Sequence, residues 1–167
     1  MSDVTHNAGQ QLGQAVEVLA ATTQLIDRAL SALKVQTTDG ERVVPARLDE
    51  HQLASYDLSL SWAECTAARF LLAHATRLTA EPSAANAYIT RLATYFCAEA
   101  ITNTLHRLRT RPPDFGLSRS DISSIDGVPA AAGFLSQQLA AQNIAAIGQA
   151  VLDRDGDLGP DLLSAQH

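Results

Sequence analysis

Two carboxylates in the middle of predicted helices are the first candidates for chemistry in this sequence. Glu64 and Glu99 each stand among small residues, in the stretches WAEC and CAEA. A carboxylate that packs between helices needs a partner, and an arginine such as Arg69 or Arg91 would form a structural ion pair with it. The alternative is a general base whose pKa is raised by burial. We expect the ion pairs.

A small-ligand pocket between helices is a second possibility, formed by Trp62, His74, Tyr95 and Glu99. Helical bundles build such sites from side chains on facing helices. His74 also lies on an apolar stripe, where a core histidine with satisfied hydrogen bonds is the simpler interpretation. The pocket therefore stays an alternative.

Basic residues are concentrated at the end of the third predicted helix, at His106, Arg107, Arg109 and Arg111. Cations at this position interact favourably with the negative end of the helix dipole, which is the interpretation we favour. An anion-binding patch or a contact with a protein partner is the functional alternative.

The sequence motifs indicate neither a metal site nor a nucleotide site. Asp153, Asp155 and Asp157 resemble the start of a calcium-binding EF-hand loop, but Leu158 and Ser164 replace the required Gly and Glu of that loop. No two histidines are spaced for a metal, and HExxH, GxGxxG, GxxxxGK[ST] and GxSxG motifs are missing. We therefore predict no metal ligand and no catalytic residue.

Composition describes a chain that can fold. Of its 167 residues, 46% are hydrophobic and 18% charged, which is enough apolar content for one domain over residues 1–167. The net charge of −6 disfavours a nucleic-acid partner. Cys65 and Cys97 lie among apolar residues and are expected to be buried free thiols. No signal peptide or membrane span is indicated, so we expect a cytoplasmic protein without membrane contact.

These side chains must be positioned by helices, because aromatic residues are few and Ala and Leu are abundant. Apolar periodicity predicts an all-α, four-helix up-and-down bundle, with a polar tail at 153–167 and helices at about 8–34, 48–79, 82–109 and 129–152. Asp39-Gly40 predicts a turn, flanked by a short hairpin from Val35 and 42–44. Asp49 is expected to cap the second helix in a box with Gln52.

The apolar stripes of these helices predict the core. The first helix has a single stripe at three- and four-residue steps: Leu12, Ala15, Leu19, Thr22, Ile26, Ala29 and Leu33. The second carries a continuous stripe of Leu53, Tyr56, Leu60, Ala63, Ala67, Phe70, His74 and Leu78. The third has two adjacent apolar faces, which indicates a central position or a subunit contact.

Parts of this pattern resemble a known family. Residues 52–72, QLASYDLSLSWAECTAARFLL, resemble a helix of the C-terminal bundle of acyl-CoA dehydrogenases, and Arg91, Ala93 and the AEA stretch at 98–100 resemble the next helix. Residues 39–52 and the RPPDFGL stretch at 111–117 are similar to the helical N-terminal extension of methylsuccinyl-CoA dehydrogenase-type enzymes. The family's other domains, which complete its FAD site, have no counterpart here, so no catalytic Glu or flavin ligand is carried over.

The resemblance implies a non-catalytic accessory or subunit-like module of an acyl-CoA dehydrogenase-type flavoprotein system, acting through protein–protein packing. Its partner would be a second copy of itself or a full-length acyl-CoA dehydrogenase, and FAD would enter only if shared with that flavoprotein. Two alternatives stay open. One is a small-ligand bundle that binds or transforms an acyl-CoA or a flavin, and the other is a purely structural homodimer.

Overall fold

The structure of the chain is a computed structural model that describes residues 2–80 and 83–155. Within these residues it is an all-α protein with one two-stranded ribbon, which confirms the all-α part of the predicted fold class. The strands are β1 (Thr38–Asp39) and β2 (Arg42–Val43), and the helices are α1 (Ser2–Thr37), α2 (Pro45–Glu50), α3 (Gln52–Leu78), α4 (Ala84–Thr110), α5 (Arg119–Ser123), α6 (Ala131–Gln138) and α7 (Ala141–Asp153).

Three long helices, α1, α3 and α4, form the main body by packing against one another. The predicted stripe of α1 is confirmed, since all seven of its members are buried. Helix α4 also contacts α6 and α7. It therefore has a central position in the chain, which was one of the two interpretations of its two apolar faces. Helices α3 and α4 run antiparallel, because Asp57 pairs with Arg111 whereas Glu64, further along α3, pairs with the earlier Arg107.

The predicted fourth helix is wrong as a single element, because it is broken between α6 and α7. Ala140 has an extended backbone, with φ −62° and ψ 135°. The Asn143 side-chain amide donates to the Gln138 carbonyl at 2.8 Å, which satisfies one of the open carbonyls at the end of α6. The Thr94 hydroxyl donates to the Gln138 side chain at 3.1 Å, which ties this break to α4. The long helices number three rather than four in the described residues.

The start of the second predicted helix also differs from the expectation. It is divided at His51, whose φ of −110° and ψ of 19° interrupt the helix. Pro45 occupies the first turn of α2, where its missing N–H costs nothing. Asp49 is therefore a residue of α2 rather than an N-cap, although its carboxylate does accept a hydrogen bond from the Gln52 amide at 3.2 Å.

The predicted hairpin exists but is shorter and shifted. Thr38 pairs with Val43 and Asp39 with Arg42, around a turn in which Gly40 has a φ of +60°. Val35, which was expected to begin the ribbon, is a residue of α1.

The chain between α4 and α6 is more ordered than the predicted loop. A 3-10 turn spans Pro112–Phe115 and buries Phe115, and Gly116 follows with a φ of +61°. A Cβ added at Gly116 would lie 2.4 Å from the Cβ of Ala32, so this turn packs directly on α1. Ser118 and Asp121 form a capping box at the start of α5.

No helix in the described part of the chain is long and apolar enough to cross a membrane.

Candidate interaction site

The predicted core stripe of α3 lies on the wrong side of the helix. Leu53, Tyr56 and Phe70 are 57%, 65% and 66% exposed. The smaller Ala63 and Ala67 between them are also exposed, and Leu60 is half-buried. We call this surface the outer face of α3; it consists of Leu53, Tyr56, Leu60, Ala63, Ala67 and Phe70. The remaining two members of the predicted stripe, His74 and Leu78, are half-buried.

A second stripe of α3 makes the contacts with α1 and α4. Its residues are small or medium in size and all are buried: Ala54, Leu58, Ser61, Cys65, Ala68, Leu72 and Ala75. Small side chains on this side allow the three long helices to approach closely, since the distance between helix axes depends on the side chains at the contact. The larger residues of the outer face are therefore left in solvent.

An aromatic side chain lies beside the outer face, and a cation covers one that belongs to it. Trp62 is 50% exposed and lies beside Ala63 in the sequence. The guanidinium of Arg69 lies over the ring of Phe70, 5.4 Å from its centroid. An aromatic ring with an arginine over it is the composition found at the centres of protein interfaces.

Glu64 forms an ion pair, but with a different arginine from either one predicted. Arg107 donates to both carboxylate oxygens of Glu64, at 2.7 and 3.0 Å, and to the Ser61 hydroxyl at 3.3 Å. These hydrogen bonds to Glu64 raise the pKa of the Arg107 guanidinium. The pair bridges α3 and α4, so its role is structural, whereas the expected partners Arg69 and Arg91 are both exposed.

The other members of the predicted basic cluster are spread over separate contacts. Arg111 pairs with Asp57 at 2.5 Å and with Asp114 at 3.2 Å. Arg109 pairs with the exposed Asp126 at 3.2 Å. His106 is exposed. Because all three arginines face carboxylates of the chain itself, they do not form a joint anion-binding patch.

Of the four residues of the predicted small-ligand pocket, Tyr95 and Glu99 are joined by a hydrogen bond, and both lie on α4. The Tyr95 hydroxyl donates to Glu99 at 2.6 Å, and this bond raises the pKa of Tyr95; Glu99 thus bonds a tyrosine instead of an arginine. Partial burial, followed by the charge of Arg77, lowers the pKa of His74. The surface grooves described along α1 are lined by other residues than Trp62, His74, Tyr95 and Glu99.

The two thiols are buried and form no assembled site with other side chains of the described residues. Cys65 lies 3.6 Å from the Thr104 hydroxyl, and burial raises the pKa of its thiol. Burial also raises the pKa of Cys97 to about 12. Across residues 2–80 and 83–155, no three His, Cys, Asp or Glu side chains cluster in a way that could hold a metal ion. Asp157, the third aspartate of the sequence that resembles an EF-hand loop, lies outside the described residues.

Comparison of the chain with protein-family models, with curated proteins and with solved structures gives no match. The fold and the site therefore define only a class, an all-α protein with an exposed apolar helix face. The acyl-CoA dehydrogenase resemblance stays a prediction. Sequence reasoning found the residues of the outer face but assigned them to the core; the signal for exposure was that α3 is apolar on two sides.

Proposed function

We propose that this chain is a helical protein-interaction module that binds a protein partner through the outer face of α3. The exposure of Leu53, Tyr56 and Phe70 on one helix face carries the proposal. Burying a side chain of this size is favourable by about 1.5–3 kcal/mol, so covering all three would supply a large share of a binding free energy. Contiguous apolar surface of this kind marks interaction sites in soluble proteins.

The shape of the surface favours a protein over a small ligand. The outer face lies on the convex surface of a helix of 27 residues and extends from Leu53 to Phe70, about 26 Å at about 1.5 Å per residue. Small molecules bind in concave pockets that enclose most of their surface. A long, convex stripe instead fits the groove or helix of another polypeptide.

The sequence resemblance suggests which partners to test first. A full-length acyl-CoA dehydrogenase-type flavoprotein is one candidate, in which case FAD would be supplied by that partner. A second copy of the chain is the other. In both cases the chain contributes packing surface, and the ion pair of Glu64 with Arg107 keeps α3 fixed to α4 beneath that surface.

Site-specific photo-crosslinking in cells of the source organism tests the proposal. A photoreactive phenylalanine analogue at Phe70 is expected to trap a defined protein, identified by mass spectrometry. The matched control carries the analogue at Leu152 of α7, which is 72% exposed and lies outside the outer face of α3. If Phe70 traps nothing, or traps the same proteins as Leu152, the outer face is not a docking surface and the proposal fails.

A further inference from the structure

The pattern along the outer face points to the kind of partner that fits it. We infer that this face is the interface of an antiparallel homodimer, in which two copies of α3 cross with a two-fold axis between Ala63 and Ala67. The inference rests on the proposed function, because it names the partner of the same surface.

The sizes of the four central side chains of this face are symmetric about this point. Ala63 and Ala67 lie at the centre, and the larger Leu60 and Phe70 stand three residues to either side. In an antiparallel pair centred there, Ala63 lies opposite the partner's Ala67, and Leu60 lies opposite the partner's Phe70. Such self-complementarity is what a two-fold interface requires, since the same patch serves both copies. The central alanines let the helices approach, and the larger residues then pack on either side.

The charges of the helix favour the antiparallel direction. Asp57 and Glu64, in the first half of α3, are already paired with Arg111 and Arg107 of the same copy. The charges that remain for a partner are the exposed Arg69 and Arg77 in the second half of α3 and the exposed Asp49 and Glu50 just before the helix begins, the latter partly offset by Arg47. An antiparallel pair places each basic half beside the partner's acidic end, whereas a parallel pair would place like charges together. The helix dipoles also oppose each other favourably in this arrangement.

The dimensions predict a weak, reversible dimer. From Leu53 to Phe70 the outer face is about 26 Å long, and with a width of about 12 Å it covers roughly 300 Å² on each copy, which is well below the about 800 Å² per partner of a standard stable interface. The dimer should therefore form at micromolar or higher concentrations and dissociate on dilution.

Sedimentation velocity of the full chain over a range of concentrations tests the inference. The wild type is expected to shift from monomer to dimer, and Phe70→Glu should weaken this association at least about tenfold, since a charge then lies against the partner's Leu60. Leu152→Glu adds the same charge at an equally exposed apolar position of α7 and should leave the association unchanged. Circular dichroism checks that both variants are folded. A wild type that stays monomeric throughout, or a dimer that Phe70→Glu leaves intact, overturns the inference.

Disulfide trapping tests the direction of the two helices. When a copy carrying Ala63→Cys is mixed with one carrying Ala67→Cys, the antiparallel arrangement predicts that the mixed pair oxidises faster than two Ala63→Cys copies. A disulfide requires the two Cα atoms to lie within about 7 Å, so the reverse order would show a parallel pair and overturn the inference. A monomer in solution whose Phe70 still traps a different protein in cells would refute the homodimer while leaving the proposed function standing.

Discussion

Replacing Gly116 by alanine should destabilise the protein by an amount that the structure allows us to divide into two parts. The first part is conformational, because a φ of +61° costs a residue with a Cβ about 1–2 kcal/mol. The second is steric, because the new Cβ would lie 2.4 Å from the Cβ of Ala32 on α1. Overpacking of this kind costs about 1–3 kcal/mol, so the total is about 2–5 kcal/mol.

Gly40 provides the matched control for the conformational part. Its φ is +60°, but a Cβ added there meets nothing within 4 Å. Gly40→Ala is therefore expected to cost only the about 1–2 kcal/mol of the backbone conformation. The difference between the two variants, about 1–3 kcal/mol, measures the contact between the turn after α4 and α1.

Urea unfolding followed by circular dichroism gives the free energy of unfolding of each variant. In thermal unfolding the same difference corresponds to about 2–12 °C in Tm for a chain of this size. Adding Ala32→Gly to the Gly116→Ala variant should restore most of the stability lost to the steric contact. A double-mutant cycle separates this gain from the intrinsic cost of a glycine in a helix. If Gly116→Ala is no more destabilising than Gly40→Ala, the turn does not pack on α1 as described.

Three further predictions concern the side chains beneath and beside the candidate site. Glu64→Gln should lower the free energy of unfolding by about 1–3 kcal/mol, because it breaks the bidentate pair with Arg107, in which the arginine and glutamate side chains are 18% and 24% exposed. Asp126→Asn, which breaks an exposed pair, should lower it by less than about 1 kcal/mol. Equal losses of the two variants in urea unfolding would contradict this ranking. Hydrogen bonds from Ser118 hold the pKa of Asp121 below its ordinary value of 3.8. The stability that Asp121 contributes is therefore present above pH 3.8 and is lost as the pH falls through the lower pKa of the folded state. Acid titration followed by circular dichroism should show a shallower loss of folded protein in Asp121→Asn than in the wild type. Burial raises the pKa of Cys97 to about 12. This thiol should therefore stay unreactive toward a disulfide reagent in the native protein and react fully in denaturant. Reaction in the native state would show that the thiol is accessible.

The buried side of the first helix could be predicted from the sequence because most of its large apolar residues lie on one side. With Leu12, Ile26 and Leu33 on that side and Glu17, Gln24 and Asp27 on others, one orientation buries most of the apolar residues, whereas Val16 and Val35 are exposed. The prediction for α1 is confirmed for that reason, whereas the two apolar faces of α4 left a central position and a subunit contact open.

The orientation of α3 could not be obtained in the same way, because periodicity identifies apolar stripes without saying which one meets a neighbour. The larger residues, Tyr56 and Phe70, suggest the core on grounds of hydrophobicity alone. The structure buries Ala54, Ala68 and Ala75 instead. That choice depends on how closely α1 and α4 approach, which is a property of three helices together.

Long-range partners were beyond sequence reasoning for a related reason. The need of Glu64 for an arginine follows from its surroundings, but Arg107 is 43 positions away, and it is selected by the register of α3 against α4. The break before α7 was missed because Leu139 and Ala140 carry no Pro or Gly signal; it depends on an amide of Asn143 folding back onto α6.

The two faces of α3 separate folding from binding. The inner face of small residues holds the helix against α1 and α4, while Tyr56 and Phe70 are about two-thirds exposed and contribute little to the isolated chain. Surface substitutions of this kind change the free energy of unfolding by less than about 0.5 kcal/mol. Association stabilises only the folded state, so Phe70→Glu should leave the stability of dilute protein unchanged and lower it only at concentrations where the wild type dimerises. A loss of stability in dilute solution would instead mean that the outer face packs within the chain, and the basis for a docking surface would disappear.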